Sequence, residues 1–232
     1  MPKFRYLALA SASIMVLVMP AGLAYAASAH PAASKSKPVL TIKKKGGTAV
    51  KKHATLTASV AKGTKVTVAL GTVFTITCKS STLKAKVTAN PSGPGKATLS
   101  VTKWSIGKCP KSVDGVTLNS LSAINLPYNA TVSAAKGNPV TITGHKKSKP
   151  VGFKAVVTFG GQKLTCAYTA KTVSGIASNT GNKVSFASQA FTLTKSSSST
   201  CSAAGSNMAT FSATYGPVRD TTVHGSPKVF IS

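Results

Sequence analysis

Alternation of apolar and polar residues constrains the fold of this chain more than any other feature. From Val151 to Phe159 every second residue is apolar, which places one face of an extended strand against a core. No segment keeps an apolar period of 3.6 residues, with caps, for long enough to predict a helix. The pattern therefore predicts a β protein.

Further strands are predicted at regular intervals along the chain. They cover residues 65–70, 72–77, 97–104, 139–143 and 183–193. Turn-forming residues separate them, at 90–94, Gly160-Gly161 and 179–182. Many short strands joined by regular turns indicate an all-β fold, an antiparallel β-sandwich or a barrel-like arrangement.

The first 26 residues have the pattern of a secretory signal peptide. Lys3 and Arg5 precede the largely apolar run Leu7–Leu23, and Ala24-Tyr25-Ala26 fits the cleavage motif. An uncleaved membrane anchor is the alternative. Residues 27–38 predict a disordered linker, and 39–232 a β-rich extracellular region. No later segment approaches the roughly 18 consecutive apolar residues of a membrane-spanning helix.

A weak internal repeat suggests two similar halves, 39–135 and 136–232. In both 76–109 and 164–201, a strand ending in Thr-Cys is followed by further strand-like stretches, an Asn-bearing turn and a second cysteine. Ser/Thr-rich strands resemble one another easily, so chance similarity is the alternative to duplication.

Four cysteines, Cys78, Cys109, Cys166 and Cys201, follow the predicted signal peptide. An even number in an exported chain indicates two disulfides, for which three pairings exist. The pairs Cys78–Cys109 and Cys166–Cys201 are favoured because each would staple one half. A zinc site is disfavoured because the spacings contain no C-x2-C pair.

The charge balance is strongly basic. The chain has 29 Lys and Arg residues, two acidic residues (Asp114 and Asp220) and a net charge of +27. Such a chain is attracted to polyanions. Arg219 is the only arginine after the signal peptide, and lysines act as hydrated point charges, whereas planar recognition of phosphate or guanine favours arginine. General electrostatic attraction is therefore predicted, without sequence-specific reading of nucleic acid.

Enzymatic chemistry is not predicted. Both acidic residues would be needed for hydrolysis by a carboxylate pair, and each is more simply explained by a turn, or for Asp220 by pairing with Arg219. No Gly-rich phosphate loop appears, and we expect no cofactor and no metal. The four histidines are scattered, at His30, His53, His145 and His224.

The large aromatic residues have two interpretations. They could form a stacking platform for sugars or bases, or they could be the large members of a core of small residues. The second is favoured because Phe153 and Phe159 share the strand parity of Val151 and Val157. The residues concerned are Trp104, Tyr128, Phe153, Phe159 and Tyr168.

Clusters of lysine are the candidate binding residues. They lie at or beside predicted turns, where a solvated loop is the usual explanation for a run of charge, but almost no acidic residues neutralise them here. Polyanion binding is therefore favoured over a role in solubility alone. The candidate residues are Lys43, Lys44, Lys45, Lys51, Lys52, Lys146, Lys147 and Lys149.

Six stretches of the chain together match a known group of proteins: 77–78, 88–91, 125–128, 164–169, 174–179 and, most strongly, 210–218. On these stretches, the chain from about residue 72 onward resembles a group of secreted signal-sequence-domain proteins from streptomycetes and related actinobacteria. The resemblance implies export and a disulfide-bonded β fold, and it implies no activity. The lysine-rich segment 43–65 departs from that group, whose members are closer to neutral.

Together these features predict a secreted, non-enzymatic protein associated with the cell envelope through its lysines. The expected partners are wall teichoic or related acids, acidic glycans, anionic lipid headgroups or extracellular DNA. An extracellular structural or adhesive β protein is the main alternative. A cationic antimicrobial protein that acts on anionic membranes is a second.

Overall fold

The computed structural model describes residues 36–71, 74–113, 115–195, 197–203 and 207–232. The predicted signal peptide and most of the predicted linker lie outside these residues. Ser36 and Lys37 are exposed, and Val39 is already fully buried.

Eighteen strands and one short helix form the described part of the chain. The first nine strands are β1 Leu40–Ile42, β2 Thr48–Ala49, β3 Thr55–Ser59, β4 Val66–Leu70, β5 Phe74–Cys78, β6 Ser80–Ala89, β7 Lys96–Gly107, β8 Ser112–Val113 and β9 Val116–Ile124. The others are β10 Tyr128–Ser133, β11 Pro139–Gly144, β12 Val151–Phe159, β13 Gln162–Ala170, β14 Thr172–Ser178, β15 Lys183–Leu193, β16 Met208–Tyr215, β17 Arg219–Asp220 and β18 Val229–Ile231. The helix, α1, covers Ser199–Ala203.

Strand β12 has the buried face that its alternating sequence predicts. Val151, Phe153, Ala155 and Val157 are buried, and the antiparallel neighbour β13 follows through the turn Gly160-Gly161. Both glycines have positive φ, 56° and 78°, as a tight hairpin turn of this hand requires. The predicted all-β fold is confirmed.

Two antiparallel sheets are formed within the described residues, one of 15 strands and one of three. The large sheet follows the order β17-β3-β6-β7-β10-β11-β14-β15-β13-β12-β9-β8, with β16 beside β15, β4 beside β16 and β5 beside β4. The small sheet has the order β18-β1-β2.

Part of the large sheet closes on itself. Strands β3, β6, β7, β10, β11, β14, β15 and β16 are paired in succession, and Val60, which follows β3, forms a bridge with Tyr215 at the end of β16. Ala61 N donates to Thr214 O and Gly216 N to Ser59 O, both at 2.8 Å. We call these eight strands the ring.

The remaining strands of the large sheet continue from two strands of the ring. The second part of β15 pairs with β13, which leads to β12, β9 and β8. The first part of β16 pairs with β4 and, through it, with β5. Strands from residues 39–135 and 136–232 therefore belong to one sheet, in which they form alternating blocks of neighbouring strands, while their origin by duplication stays a prediction.

The small sheet covers one end of the ring, and we call it the cap. The Asn90 side chain accepts from Leu40 N and donates to Leu40 O, each at 2.8 Å. On the other side, the Asn179 side chain makes the same pair of hydrogen bonds with Ile231, also at 2.8 Å. Two asparagine side chains thus imitate strand pairing and hold the cap on the ring.

A buried polar network lies inside the ring. The Tyr215 side chain is fully buried. Its hydroxyl lies 2.8 Å from Ser81 Oγ and accepts a hydrogen bond from Trp104 Nε1 at 2.9 Å. Ser81 Oγ also donates to Ser105 O at 2.6 Å. These bonds join β16 to β6 and β7 through the interior.

Both predicted disulfides are present. Cys78, at the end of β5, is bonded to Cys109, which follows β7. Cys166 in β13 is bonded to Cys201 in α1, so the short helix is attached to the sheet covalently. All four cysteines of the described residues are therefore in disulfides.

Candidate polyanion-binding surface

The positive charge has almost no neutralising partner in the described part of the chain. Asp220 is its only acidic side chain, since Asp114 lies outside it. Asp220 is 1% exposed, and its Oδ1 accepts from Thr222 N at 3.0 Å and from Thr222 Oγ1 at 2.5 Å. Arg219 Nη1 instead donates to Ser226 O at 2.9 Å. Asp220 therefore caps a turn and is not available to surface lysines.

The first predicted lysine cluster lies around the cap. Lys43, Lys44 and Lys45 form the exposed loop between β1 and β2, and Lys51 and Lys52 form the exposed turn before β3. The loop is held by backbone bonds, including one from Gly47 N to Lys44 O at 3.0 Å. These five lysines are the cap cluster.

The second predicted cluster lies in the loop between β11 and β12. Lys146, Lys147 and Lys149 are exposed, and Lys149 N donates to Lys146 O at 2.9 Å. A depression of about 290 Å³ beside this loop is lined by Lys146, Lys147 and also Lys171. Lys171 stands alone in the sequence between two strands, so a search for runs of lysine misses it.

The two predicted clusters do not form a single site. Strand β11 starts at the capped end of the ring, where Ala177 N donates to Asn138 O at 3.0 Å, and it leads away from the cap to the loop of the second cluster. Its six residues rise about 3.3 Å each, which separates the clusters by roughly 20 Å. A polymer that contacts both must extend along the ring.

The outer face of the ring carries a third group of lysines that sequence reasoning missed. Lys84 in β6 is directly opposite Lys103 in β7, and Lys86 lies two residues along the same face. All three side chains are exposed. We call them the strand patch. They are single lysines in separate strands, and only the pairing register brings them together.

This cross-strand pair is electrostatically unfavourable by itself. Directly opposite residues in antiparallel strands have Cβ atoms about 4.5–5.5 Å apart, and like charges there are destabilising. The neighbour of Lys84 on β3 is Thr57, and those of Lys86 are Thr55 and Ser100, so no acidic residue flanks the pair. An external anion would relieve the repulsion.

The aromatic residues do not form a surface platform. Trp104, Tyr128, Phe153 and Tyr168 are at most 5% exposed, and the Phe153 and Tyr168 rings stack with centroids 5.3 Å apart. The core interpretation is confirmed for these four. It is wrong for Phe159, which is 48% exposed. Phe159 is the last residue of β12 and lies next to the hairpin turn.

The described residues contain no group of three or more His, Cys, Asp or Glu side chains that could hold a metal ion. His53, His145 and His224 are exposed and lie in separate loops, and His30 lies outside the described residues. His145 Nδ1 is 3.5 Å from Asn129 Oδ1. These histidines therefore belong to no cluster with an evident chemical role.

Comparison of the chain with protein-family models, with curated proteins and with solved structures finds no match. Within the residues that the structure describes, no helix has the length and apolarity needed to cross a bilayer.

Proposed function

We propose that this protein is secreted and binds anionic polymers of the cell envelope electrostatically, without catalysing a reaction. The observation that carries the proposal is the strand patch, in which Lys84 and Lys103 stand opposite each other with no acidic neighbour. A bound polyanion would convert this unfavourable arrangement into an attractive one.

The lysines favour a polymer recognised by its charge. Ammonium groups are hydrated point charges that interact with phosphate or carboxylate without fixed geometry. Wall teichoic or related acids and acidic glycans fit this chemistry best. Anionic lipid headgroups and extracellular DNA present similar charge, and sequence-specific reading of DNA is not part of the proposal.

Secretion is supported by two features. Two disulfides are typical of proteins that reach an oxidising compartment, and residues 1–26 have the composition of a signal peptide. Outside the cytoplasm, a strongly basic protein would meet the anionic polymers of the envelope directly.

The strand patch is better suited to polymer binding than the lysine loops. Its side chains start from two paired strands of the ring, so their spacing is fixed before a ligand arrives. Less conformational freedom is then lost on binding than when loop lysines become ordered. We therefore expect the strand patch to contribute more per charge than the cap cluster.

The test uses two variants that lose the same charge. The patch variant carries Lys84→Gln, Lys86→Gln and Lys103→Gln. The control variant replaces three exposed lysines away from the patch by glutamine: Lys111, Lys163 and Lys195. Oxidised protein lacking residues 1–26 is passed over purified bacterial cell walls, duplex DNA beads and neutral polysaccharide beads across a salt series.

We expect retention of the unaltered protein on cell walls and DNA, but not on the neutral beads, and loss of retention as salt rises. Each DNA phosphate neutralised contributes about −0.9 to the slope of log affinity against log salt, so the patch variant should flatten it by about 2 to 3. The control should change it less. Equal effects of both variants would remove the patch from the proposal, and no retention at low salt would refute electrostatic binding.

An assembly-forming structural protein is the second candidate, and one observation favours it. Strand β5 pairs with β4 alone and β8 with β9 alone among the described residues, so each leaves one backbone edge for another chain. Sedimentation at several protein concentrations in high salt tests this candidate. Growth of the assembled fraction with concentration would support it, and a constant monomer would exclude it.

A further inference from the structure

We infer that the ring contains a binding site for the hydrocarbon part of a small anionic amphiphile, at its capped end. This inference does not rest on the proposed polymer binding, since the site lies inside the ring and the lysines of the strand patch lie outside it.

A cavity of about 120 Å³ lies between the ring and the cap. Leu40, Val229 and Ile231 of the cap line one side, and Tyr215 and Phe186 line the side toward the middle of the molecule. The other ring strands contribute mainly aliphatic side chains. Thr57 is the exception on this part of the lining, and an ordered water needs at least two polar partners. Largely apolar cavities of this kind stay dry and take up small apolar molecules.

The cavity exists because small residues stand where large ones would fill an eight-stranded ring. Ala85 lies beside Val101 of the next strand, and Ala130 lies between Leu99 and Ile142 of its two neighbours. All of these residues line the cavity. Eight strands leave an interior just wide enough for side chains or for one small ligand, and the alanines leave room for the ligand.

The Phe186 side chain forms part of the cavity wall. A Cβ atom at Gly175 would lie 2.7 Å from two carbon atoms of the Phe186 ring. The glycine therefore leaves the space in which the Phe186 ring packs against the backbone of β14. Phe186 is 4% exposed, so it forms a fixed wall.

The lining is polar where the chain turns between β14 and β15, and it carries one charged side chain there. The residues concerned are Ser178, Asn179, Asn182 and Lys183. Ser178 and Lys183 are exposed, so we place the mouth of the cavity on this side. The Asn179 and Asn182 amides donate to Ile231 O and Val229 O of the cap, both at 2.8 Å. They are therefore occupied in holding the cap, and Lys183 is the only charged group among the described lining residues.

The Lys183 stem is positioned by two glycines. A Cβ atom at Gly181 would lie 2.8 Å from Lys183 Cε, and one at Gly216 would lie 3.0 Å from Lys183 Cγ. The missing side chains let the stem pack against the backbone at the mouth, with the ammonium group exposed to solvent. A ligand with its hydrocarbon part in the cavity would place its head beside this ammonium group, which favours a carboxylate or phosphate.

The volume sets the length of the hydrocarbon part. A cavity of about 150 Å³ lined by Leu, Ile and Phe binds benzene, and an alkyl chain of six carbons is bulkier than benzene. A cavity of about 120 Å³ therefore accepts a shorter chain, of about four carbons. Pentanoate, with four carbons beyond its carboxylate, is the matching anionic probe, and 1-butanol is a neutral probe with a chain of the same length.

Three variants separate the contributions to binding. Ala130→Val fills the cavity with a residue suited to a strand, and Ala190→Val adds the same volume at an exposed position as a control. Lys183→Met keeps the stem and removes the charge. Binding is measured by calorimetry and by the shift of the unfolding temperature, and circular dichroism verifies that each variant is folded.

We expect both probes to bind the unaltered protein and the Ala190→Val variant, and neither to bind Ala130→Val. Lys183→Met should weaken the binding of pentanoate about two- to fivefold, the range for an exposed ion pair, and leave the binding of butanol unchanged. Unchanged binding to Ala130→Val, or no binding of either probe to the unaltered protein, would overturn the site. Equal weakening of both probes by Lys183→Met would overturn the anionic head. If Ala130→Val does not fold, Ala85→Val replaces it under the same criteria.

Discussion

Replacing Tyr215 by phenylalanine tests the polar network inside the ring. The substitution removes one oxygen atom and keeps the aromatic ring in its fully buried position. Ser81 Oγ keeps its hydrogen bond to Ser105 O, but Trp104 Nε1 loses its acceptor. Because Trp104 is 5% exposed, its N–H group cannot turn to water without moving the indole ring.

The expected cost follows from the Trp104 N–H group, which becomes a buried donor without a partner. A buried donor left without a partner costs about 1–3 kcal/mol, so Tyr215→Phe should lower the free energy of unfolding by that amount. Ser81→Ala leaves the Trp104–Tyr215 bond in place but removes the acceptor of the Tyr215 hydroxyl proton, since Ser81 Oγ uses its own proton for Ser105 O. It also leaves a buried donor without a partner and should cost about 1–3 kcal/mol.

The burial of Tyr215 also makes the free energy of unfolding depend on pH. Burial raises the pKa of Tyr215 to about 12, against the lowering effect of its hydrogen bonds with Ser81 and Trp104. The unfolded chain ionises this tyrosine near its ordinary pKa of about 10, before the folded protein does. The contribution is therefore complete below pH 10 and is lost as pH rises through the folded pKa, by about 2–3 kcal/mol in all.

The assay is urea unfolding of the oxidised protein at pH 7 and at steps from pH 9 to 11.5, for the unaltered chain and both variants. Lysine titration affects all three alike, so the difference between the unaltered chain and Tyr215→Phe isolates the tyrosine. That difference should shrink as pH rises. A Tyr215→Phe variant as stable as the unaltered protein at pH 7, or a difference that does not change with pH, would refute the reasoning.

Three further substitutions have expected outcomes for stability in the same urea assay. Thr57 Oγ1 is buried without a hydrogen-bond partner, so Thr57→Val should raise the free energy of unfolding by up to about 1–3 kcal/mol; a loss would show that the hydroxyl is satisfied in solution. Asp220→Ala removes both bonds to Thr222 and should cost about 1–3 kcal/mol, whereas Asp220→Asn, which keeps an acceptor, should cost less. Replacing Cys166 and Cys201 by serine removes a disulfide between residues that are 35 positions apart in the sequence. The chain-entropy model predicts a loss of about 3–4 kcal/mol in the free energy of unfolding. An unchanged urea midpoint would contradict that model for this protein.

Local patterns predicted six of the eighteen strands in the described residues: β4, β5, β7, β11, β12 and β15. The predicted strands 151–159 and 183–193 have the same bounds as β12 and β15, because alternation and turn residues act over short distances. Both disulfides were predicted from the idea that each staples one half. The closure of the ring was not predictable, since it depends on the bridge between Val60 and Tyr215, and no local pattern specifies a partner so distant in the chain.

The candidate binding surface was only partly accessible to sequence reasoning. Runs such as 43–45 and 146–149 are visible in one dimension, and the structure places them in exposed loops. Lys84 and Lys103 become neighbours only through the register of β6 and β7, which shifts next to them at a bulge. The cavity was also invisible, because an alanine in a strand does not reveal whether its neighbours fill the space beside it.

The last described strands complete structures that the first ones begin. Strand β18 pairs with β1, β17 with β3, and the end of β16 with Val60. While a ribosome is still making the chain, β1 and β3 therefore lack these partners until residues 215–231 have been synthesised. Such non-local pairing slows folding, so the ring should stay open and the cap incomplete until then. A chain that delays its own closure in this way stays thin enough to be threaded through a narrow pore before it folds.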